Sequence, residues 1–139
     1  MSIPDELIHK HKFVDSNMKL YETHTQEGAH IIQLNKDYAC RYFVKVCSDI
    51  CIHHHERFDG LGYPHGLKGN DIAYYTRLCS LVTEFDRLFS KREEINDWQF
   101  DFILKELKVE KGRFDPKLID ILENCKMSVV LYYKQRLCK

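Results

Sequence analysis

The chain has 139 residues, 44% apolar and 30% charged, which suffices for one domain with its own core. Its 21 Lys and Arg balance 21 Asp and Glu, so no charge footprint points to a nucleic-acid polymer or an anionic membrane surface. No apolar run approaches the roughly 20 residues of a membrane span, and the opening Met1-Ser2-Ile3-Pro4 lacks a signal-peptide pattern, so a cytoplasmic protein is expected.

Helical periodicity recurs along most of the chain and strand alternation is nearly absent, which predicts an all-α fold. Through Phe13 the sequence reads as an irregular lead-in with an early short turn. Asp15 or Ser16 caps a helix to about Asn35, with Tyr21, His24, Gly28, Ile31 and Ile32 on one face. A second helix, about Lys36 to His54, turns Ala39, Tyr42, Phe43, Val46, Ile50 and Cys51 inward, and His53 or His54 continues that stripe. The segment from Glu56 to about Asp71 holds four of the six glycines and one of the three prolines, as an ordered functional loop does.

A third helix, about Tyr74 to Lys91, is expected to bury Leu78, Leu81, Val82, Phe85, Leu88 and Phe89. A fourth starts near Asn96 or Asp97 and buries Trp98, Phe102, Ile103 and Leu107. In Gly112-Arg113-Phe114-Asp115-Pro116 the Asp is a good N-cap and the Pro suits the first helical position. A last helical region carries Leu118, Ile119, Leu122, Val129, Val130, Tyr133 and Leu137. No repeat, low-complexity tract or domain boundary interrupts this pattern. The six cysteines form no Cys-x-x-Cys and fit a reduced protein in which thiols pack as small apolar groups, although Cys47 and Cys51 lie one helical turn apart.

Neutral imidazole is a ready ligand for transition metals, and eight histidines is an enriched count. A lone histidine on an apolar face is more often a hydrogen-bonded core group. Adjacent His54 and His55 at a helix end, opening into a glycine-rich loop, both line one cleft only if that cleft sits at the helix terminus. The residues alone leave metal binding and core packing side by side.

The run His54-His55-Glu56-Arg57-Phe58-Asp59-Gly60-Leu61-Gly62-Tyr63-Pro64, followed by Gly66-Leu67-Lys68-Gly69 and Ile72, resembles the signature of HD-GYP domains. These are a branch of the HD metal-dependent phosphohydrolases that hydrolyses cyclic di-GMP. Ile3-Pro4-Asp5, Thr23-His24-Thr25 with Gly28-Ala29, Arg77 through Ser90, and Phe114-Asp115-Pro116 resemble further segments of that family, so the likeness covers essentially the whole chain.

The resemblance implies His24, His54 and His55 as metal ligands for a single divalent ion, iron, manganese or zinc, or no metal at all. It implies a ligand-contacting loop of Arg57, Asp59, Gly60, Gly62, Tyr63 and Pro64, and a phosphate contact at Arg92. It also shows departures. The family's His-Asp pair and a nearby lysine lie just upstream of the Ile-Pro-Asp segment, and these residues contain no His-Asp dipeptide. Thr83 stands where the family places a metal-binding aspartate, and Ile95 replaces a further basic position. His9, His11, His53 and His65 have no ligand counterparts and read as surface or cleft-edge residues.

The expectation is a single partial domain over residues 1–139, an HD-like helical bundle without the family's N-terminal helices. Two functions follow from it. One is a signalling module with impaired catalysis that binds a protein partner and a metal ion or cyclic dinucleotide. The other is a cyclic di-GMP phosphodiesterase completed by a missing segment or a second chain. A homodimer or a partner such as a diguanylate cyclase domain is expected to cover exposed core.

Overall fold

The computed structural model describes residues 15–90 and 96–137, with the side chains of 15–18 and 136–137 left aside. Among the described residues there are six α-helices and no strand: α1 Asp15–Leu34, α2 Arg41–His53, α3 Tyr74–Phe89, α4 Asp97–Val109, α5 Pro116–Asn124 and α6 Lys126–Leu137. The all-α expectation holds. The lead-in through Phe13, with His9 and His11, lies outside the described residues, as do the charge run of residues 91–94 and Arg92 within it.

Helices α1 and α2 form an antiparallel hairpin, because their contacts run in opposite chain directions. Gln33 donates to Ser48 at 3.0 Å, Gly28 faces the Cys51 Sγ, and His24 meets His54. Small residues allow this close approach: Thr25 and Ala29 are buried beside Gly28, where an added Cβ would already touch the Cys51 Sγ at 3.4 Å.

The main core lies at the other end, between α3, α4, α5 and α6. Phe85, Phe89 and Phe100 pack with ring centroids 5.0 and 5.5 Å apart around Phe85, among Ile103, Leu104, Leu107, Leu118, Ile119 and Val130. Each fully buried side chain of this kind contributes about 1.5–3 kcal/mol relative to exposure. Caps fix the helix starts. Asn96 and Gln99 form a reciprocal capping box on α4, and Asp115 caps α5 with Pro116 at its first position, as the sequence predicted. Asp115 also accepts from the Arg77 guanidinium at 2.5 Å, tying α3 to the start of α5 with both side chains largely buried.

Several helix faces differ from those the sequence predicts. The second helix does not begin at Lys36: residues Lys36–Tyr38 form a separate 3₁₀ turn, and extended Ala39 and Cys40 break the chain before Arg41. Within α2 the buried residues are Val44 and Ser48, while Tyr42 is 73% exposed and Phe43 57%. In α4 the buried stripe is Phe100, Ile103, Leu104 and Leu107, whose i, i+3, i+4, i+7 spacing makes the tighter apolar face. Trp98 and Phe102 stack on each other outside it, at 5.7 Å. On α3, Leu78 and Val82 are exposed and Thr76 takes a core position. Ile31 on α1 is likewise exposed. The single last helix is two, divided at Cys125.

Candidate metal centre

The helical hairpin and the loop after it assemble the three predicted histidines. His24 stands on α1, while His54 caps the C-terminus of α2 and His55 follows it at the start of the loop. The His24 Nε2 lies 3.3 Å from the His54 Nε2 and 3.1 Å from the His55 Nε2. Among the described residues, this is the group of three or more potential ligands whose donor atoms all lie within 4.8 Å of one another. All three rings are half-buried. Cys47 and Cys51 are free thiols and do not join it.

Backbone carbonyls set the tautomers. His24 directs Nδ1 at the Tyr21 carbonyl, and His54 directs Nδ1 at the carbonyls of Cys51 (3.0 Å) and Ile50 (3.2 Å). A carbonyl only accepts, so in both rings Nδ1 carries the proton and Nε2 presents its lone pair. Two such lone pairs face each other at 3.3 Å with His55 beside them. Nitrogens bound to one metal ion at about 2.0–2.1 Å lie roughly 2.9 Å apart at a right angle and roughly 3.3 Å apart at a tetrahedral one. The residues present therefore fit an ion. Burial pushes the His54 imidazole below its usual pKa, and nearby His24 adds to this. His55 is driven down to about 3, chiefly by burial and then by His54, His24 and the positive charge of Arg113. Both stay neutral at physiological pH, the form a metal needs.

The loop is built to hold these rings. Ser80 on α3 donates to the His54 carbonyl at 2.7 Å. Buried Glu56 accepts from the backbone N–H groups of His65 (2.7 Å) and Leu67 (2.9 Å), which folds the loop back on the helix end. Gly62 passes so close that a Cβ would sit 2.4 Å from the Arg57 nitrogen and 2.6 Å from the His55 carbonyl oxygen, so only glycine fits. Tyr63 then stacks on His55 with centroids 4.7 Å apart, and burial raises its phenol pKa.

Arg57 and Asp59 bind each other through two hydrogen bonds of 3.1 and 2.8 Å, and Glu110 lies 3.7 Å from Arg57. Gly60 takes a left-handed conformation beside them, and the Phe58 and Asp59 N–H groups donate to the carbonyls of Arg113 (3.0 Å) and Gly112 (2.8 Å). Pro64 follows Tyr63 directly, where the loop turns toward His65.

Beside the histidines lies a cleft of about 280 Å³, lined by His54, His55, Arg57, Tyr63, Ser80, Thr83, Glu84 and Arg113, among others. Thr83 is thus in the site, in the place where the resemblance expects an aspartate. Glu56, Ser80, Glu84 and Arg113 are site residues that the sequence reading missed. Arg113 is held by Glu110 at 3.0 Å, with Glu84 at 3.6 Å. Its position immediately before the Phe-Asp-Pro cap was the available signal, but nothing local to it says that the loop packs onto the histidine cleft.

Comparison with known proteins agrees with this geometry. The HD domain family profile matches residues 1–118. The chain is 35% identical over 124 residues to a 3'3'-cGAMP-specific phosphodiesterase of Vibrio cholerae, covering 88% of this chain and 23% of that protein. It is 31% identical over 119 residues to a cyclic di-GMP phosphodiesterase of Pseudomonas aeruginosa, covering 85% and 28%. It is 33% identical over 124 residues to a cyclic di-GMP phosphodiesterase response regulator of Xanthomonas campestris, covering 88% and 32%. The chain thus spans between about a quarter and a third of the length of these relatives. With the histidine cluster and the loop that frames it, these matches place the chain in the HD domain family, in its HD-GYP branch.

Proposed function

We propose that this chain carries the three-histidine part of a metal-dependent phosphodiesterase site that acts on a cyclic dinucleotide. The observation that carries the reading is the convergence of the His24, His54 and His55 Nε2 atoms next to an open cleft. The relatives' activities on cyclic di-GMP and 3'3'-cGAMP support the substrate class.

In this reading His24, His54 and His55 hold one divalent ion, iron, manganese or zinc. Such an ion, when bound, supplies Lewis acidity to a phosphoryl oxygen and lowers the pKa of a bound water. The chain's own residues do the rest. Tyr63 and the carbonyls of Tyr21, Ile50 and Cys51 keep the rings in register. Arg113, on the cleft wall by His55, offers a cation to phosphate oxygens. At about 280 Å³ the cleft falls short of the ~300–1,000 Å³ of whole small-molecule sites, so ligand contacts extend beyond it. Arg57, Asp59, Gly60, Gly62, Tyr63 and Pro64 of the loop, and Arg92, are the proposed contacts.

A second reading is favoured by Thr83, which lines the cleft where the family resemblance expects an aspartate. On that reading the site binds cyclic dinucleotide and turns it over poorly. One experiment separates the two. The chain, loaded with Mn²⁺ or Fe²⁺, is incubated with cyclic di-GMP and with 3'3'-cGAMP, and linear dinucleotide is sought. Product that disappears in His54→Ala and His55→Ala supports hydrolysis. Binding without product, with hydrolysis appearing in Thr83→Asp, supports the second reading. Neither binding nor product overturns both.

Association accompanies this proposal. Leu34 at the end of α1 and Tyr42 and Phe43 at the start of α2 are 68%, 73% and 57% exposed, apolar surface that a homodimer or another partner would cover. Sedimentation at micromolar concentration tests it, and a uniform monomer counts against a homodimer.

A further inference from the structure

We infer that His53 and His65 form a second transition-metal site, oriented by Asp49 and separate from the three-histidine centre. His53 is the last residue of α2, and His65 follows Pro64 in the loop. The Asp49 carboxylate sits one helical turn before His53 and is fixed at both oxygens. Oδ1 lies 3.0 Å from the His53 Nδ1, and Oδ2 accepts from the Thr76 hydroxyl at 3.0 Å.

A carboxylate opposite Nδ1 keeps a proton on that nitrogen, which leaves Nε2 as the ligating atom when the ring binds a metal. That atom faces the His65 Nδ1 at 3.1 Å, with the two rings tilted and their centroids 5.2 Å apart. The separation lies between the roughly 2.9 Å and roughly 3.3 Å expected of two imidazole nitrogens on one ion. A carboxylate behind a ligating histidine is the usual outer support of such sites, raising the basicity of the ring and fixing its direction. Thr76 in turn fixes the carboxylate.

The surroundings suit a partly hydrated ion. The His53 side chain is 16% exposed and Asp49 27%, while His65 is open to solvent, so water completes the coordination. Two imidazoles and water select zinc, nickel or copper over magnesium or calcium. The site spans α2 and the loop, and Glu56 already grips the His65 N–H. An ion here staples the loop at the residue that follows Tyr63-Pro64, and so steadies the Tyr63 ring against His55.

The test is a Zn²⁺ titration of the full, untagged chain stripped with chelator, read by calorimetry and by the change in melting temperature. The unaltered protein is expected to bind two equivalents. His65→Ala, an exposed loop substitution, is expected to lose one equivalent while circular dichroism and metal-free stability stay unchanged. Asp49→Asn is expected to weaken the same equivalent by about 10–100-fold, the usual cost of losing an outer partner. His54→Ala is expected to leave this equivalent intact. If the unaltered protein binds only one equivalent, and His65→Ala abolishes it, this site stands and the three-histidine centre fails. If His65→Ala leaves the number and affinity of bound Zn²⁺ unchanged, His53 and His65 share a hydrogen bond only and the inference is overturned.

Discussion

The Nε2 atoms of His24 and His54 lie 3.3 Å apart although both rings direct Nδ1 at backbone carbonyls. Two neutral imidazoles in these tautomers oppose lone pair to lone pair. A cation between them removes the conflict, and burial disfavours making that cation by protonating His54. The carbonyls belong to the helices themselves, so the backbone, more than any side chain, prepares this pair for metal.

The depressed pKa values give a pH dependence with a definite sign. In the unfolded chain His54 and His55 take up protons as pH falls through about 6.5. In the folded protein His55 resists until about 3, and His54 is shifted in the same direction. The unfolded state therefore binds more protons below about pH 6.5, and stability falls with acidity across that window. For metal-free protein the urea midpoint is expected to decline between pH 7 and 4, less steeply in His55→Gln. With metal bound the decline is steeper, because protons compete for the ligands. A midpoint that is flat over this range contradicts the burial of these rings.

Gly62→Ala tests the loop's close approach. A methyl group there meets the backbone of His55, Glu56 and Arg57 at 2.4 to 2.6 Å, none of it able to swing away like a side chain. The expected cost is about 1–3 kcal/mol, the range for forcing atoms into filled space. Urea unfolding measures it, and metal affinity is expected to fall with it because Tyr63 and His55 are displaced together. Gly69→Ala is the contrast: nothing lies within 4 Å of the added group, and the cost is limited to its left-handed backbone.

Asp115→Ala removes the cap of α5 and leaves the largely buried Arg77 without its carboxylate. Losing one member of a buried pair costs about 3–5 kcal/mol. Thermal unfolding is expected to show a loss of that order, while Lys108→Ala, whose pair with Glu123 is exposed, is expected to change little. Equal effects from both substitutions contradict the role given to Asp115.

Helix existence, the α4 and α5 caps and the three-histidine set were all legible in the sequence. The first follows from periodicity, the caps from local residue chemistry, and the histidines from a long signature. Which face of a helix is buried was less legible. Helix α4 carries two apolar stripes, and Trp98 and Phe102 lost to Phe100 and Leu104, which share the buried cluster with Phe85 and Phe89 of α3 and Val130 of α6. The later start of α2, after extended Ala39 and Cys40, had no glycine or proline to announce it. The roles of Glu56 and Arg113 and the pairing of His53 with His65 were not legible, because each depends on how the loops after α2 and α4 fold back onto the helix end.

The assignment of His24, His54 and His55 to one divalent ion stands on their converging Nε2 atoms. Metal analysis and Zn²⁺ titration of untagged protein test it most directly, comparing the unaltered chain with His24→Ala and His54→Ala in a His65→Ala background that isolates this centre. One equivalent is expected to bind before either substitution, with a loss of affinity after each beyond the ~10–100-fold that removal of an outer-sphere partner costs. Protein that binds no ion, or binds one equally well without His24 and without His54, contradicts it.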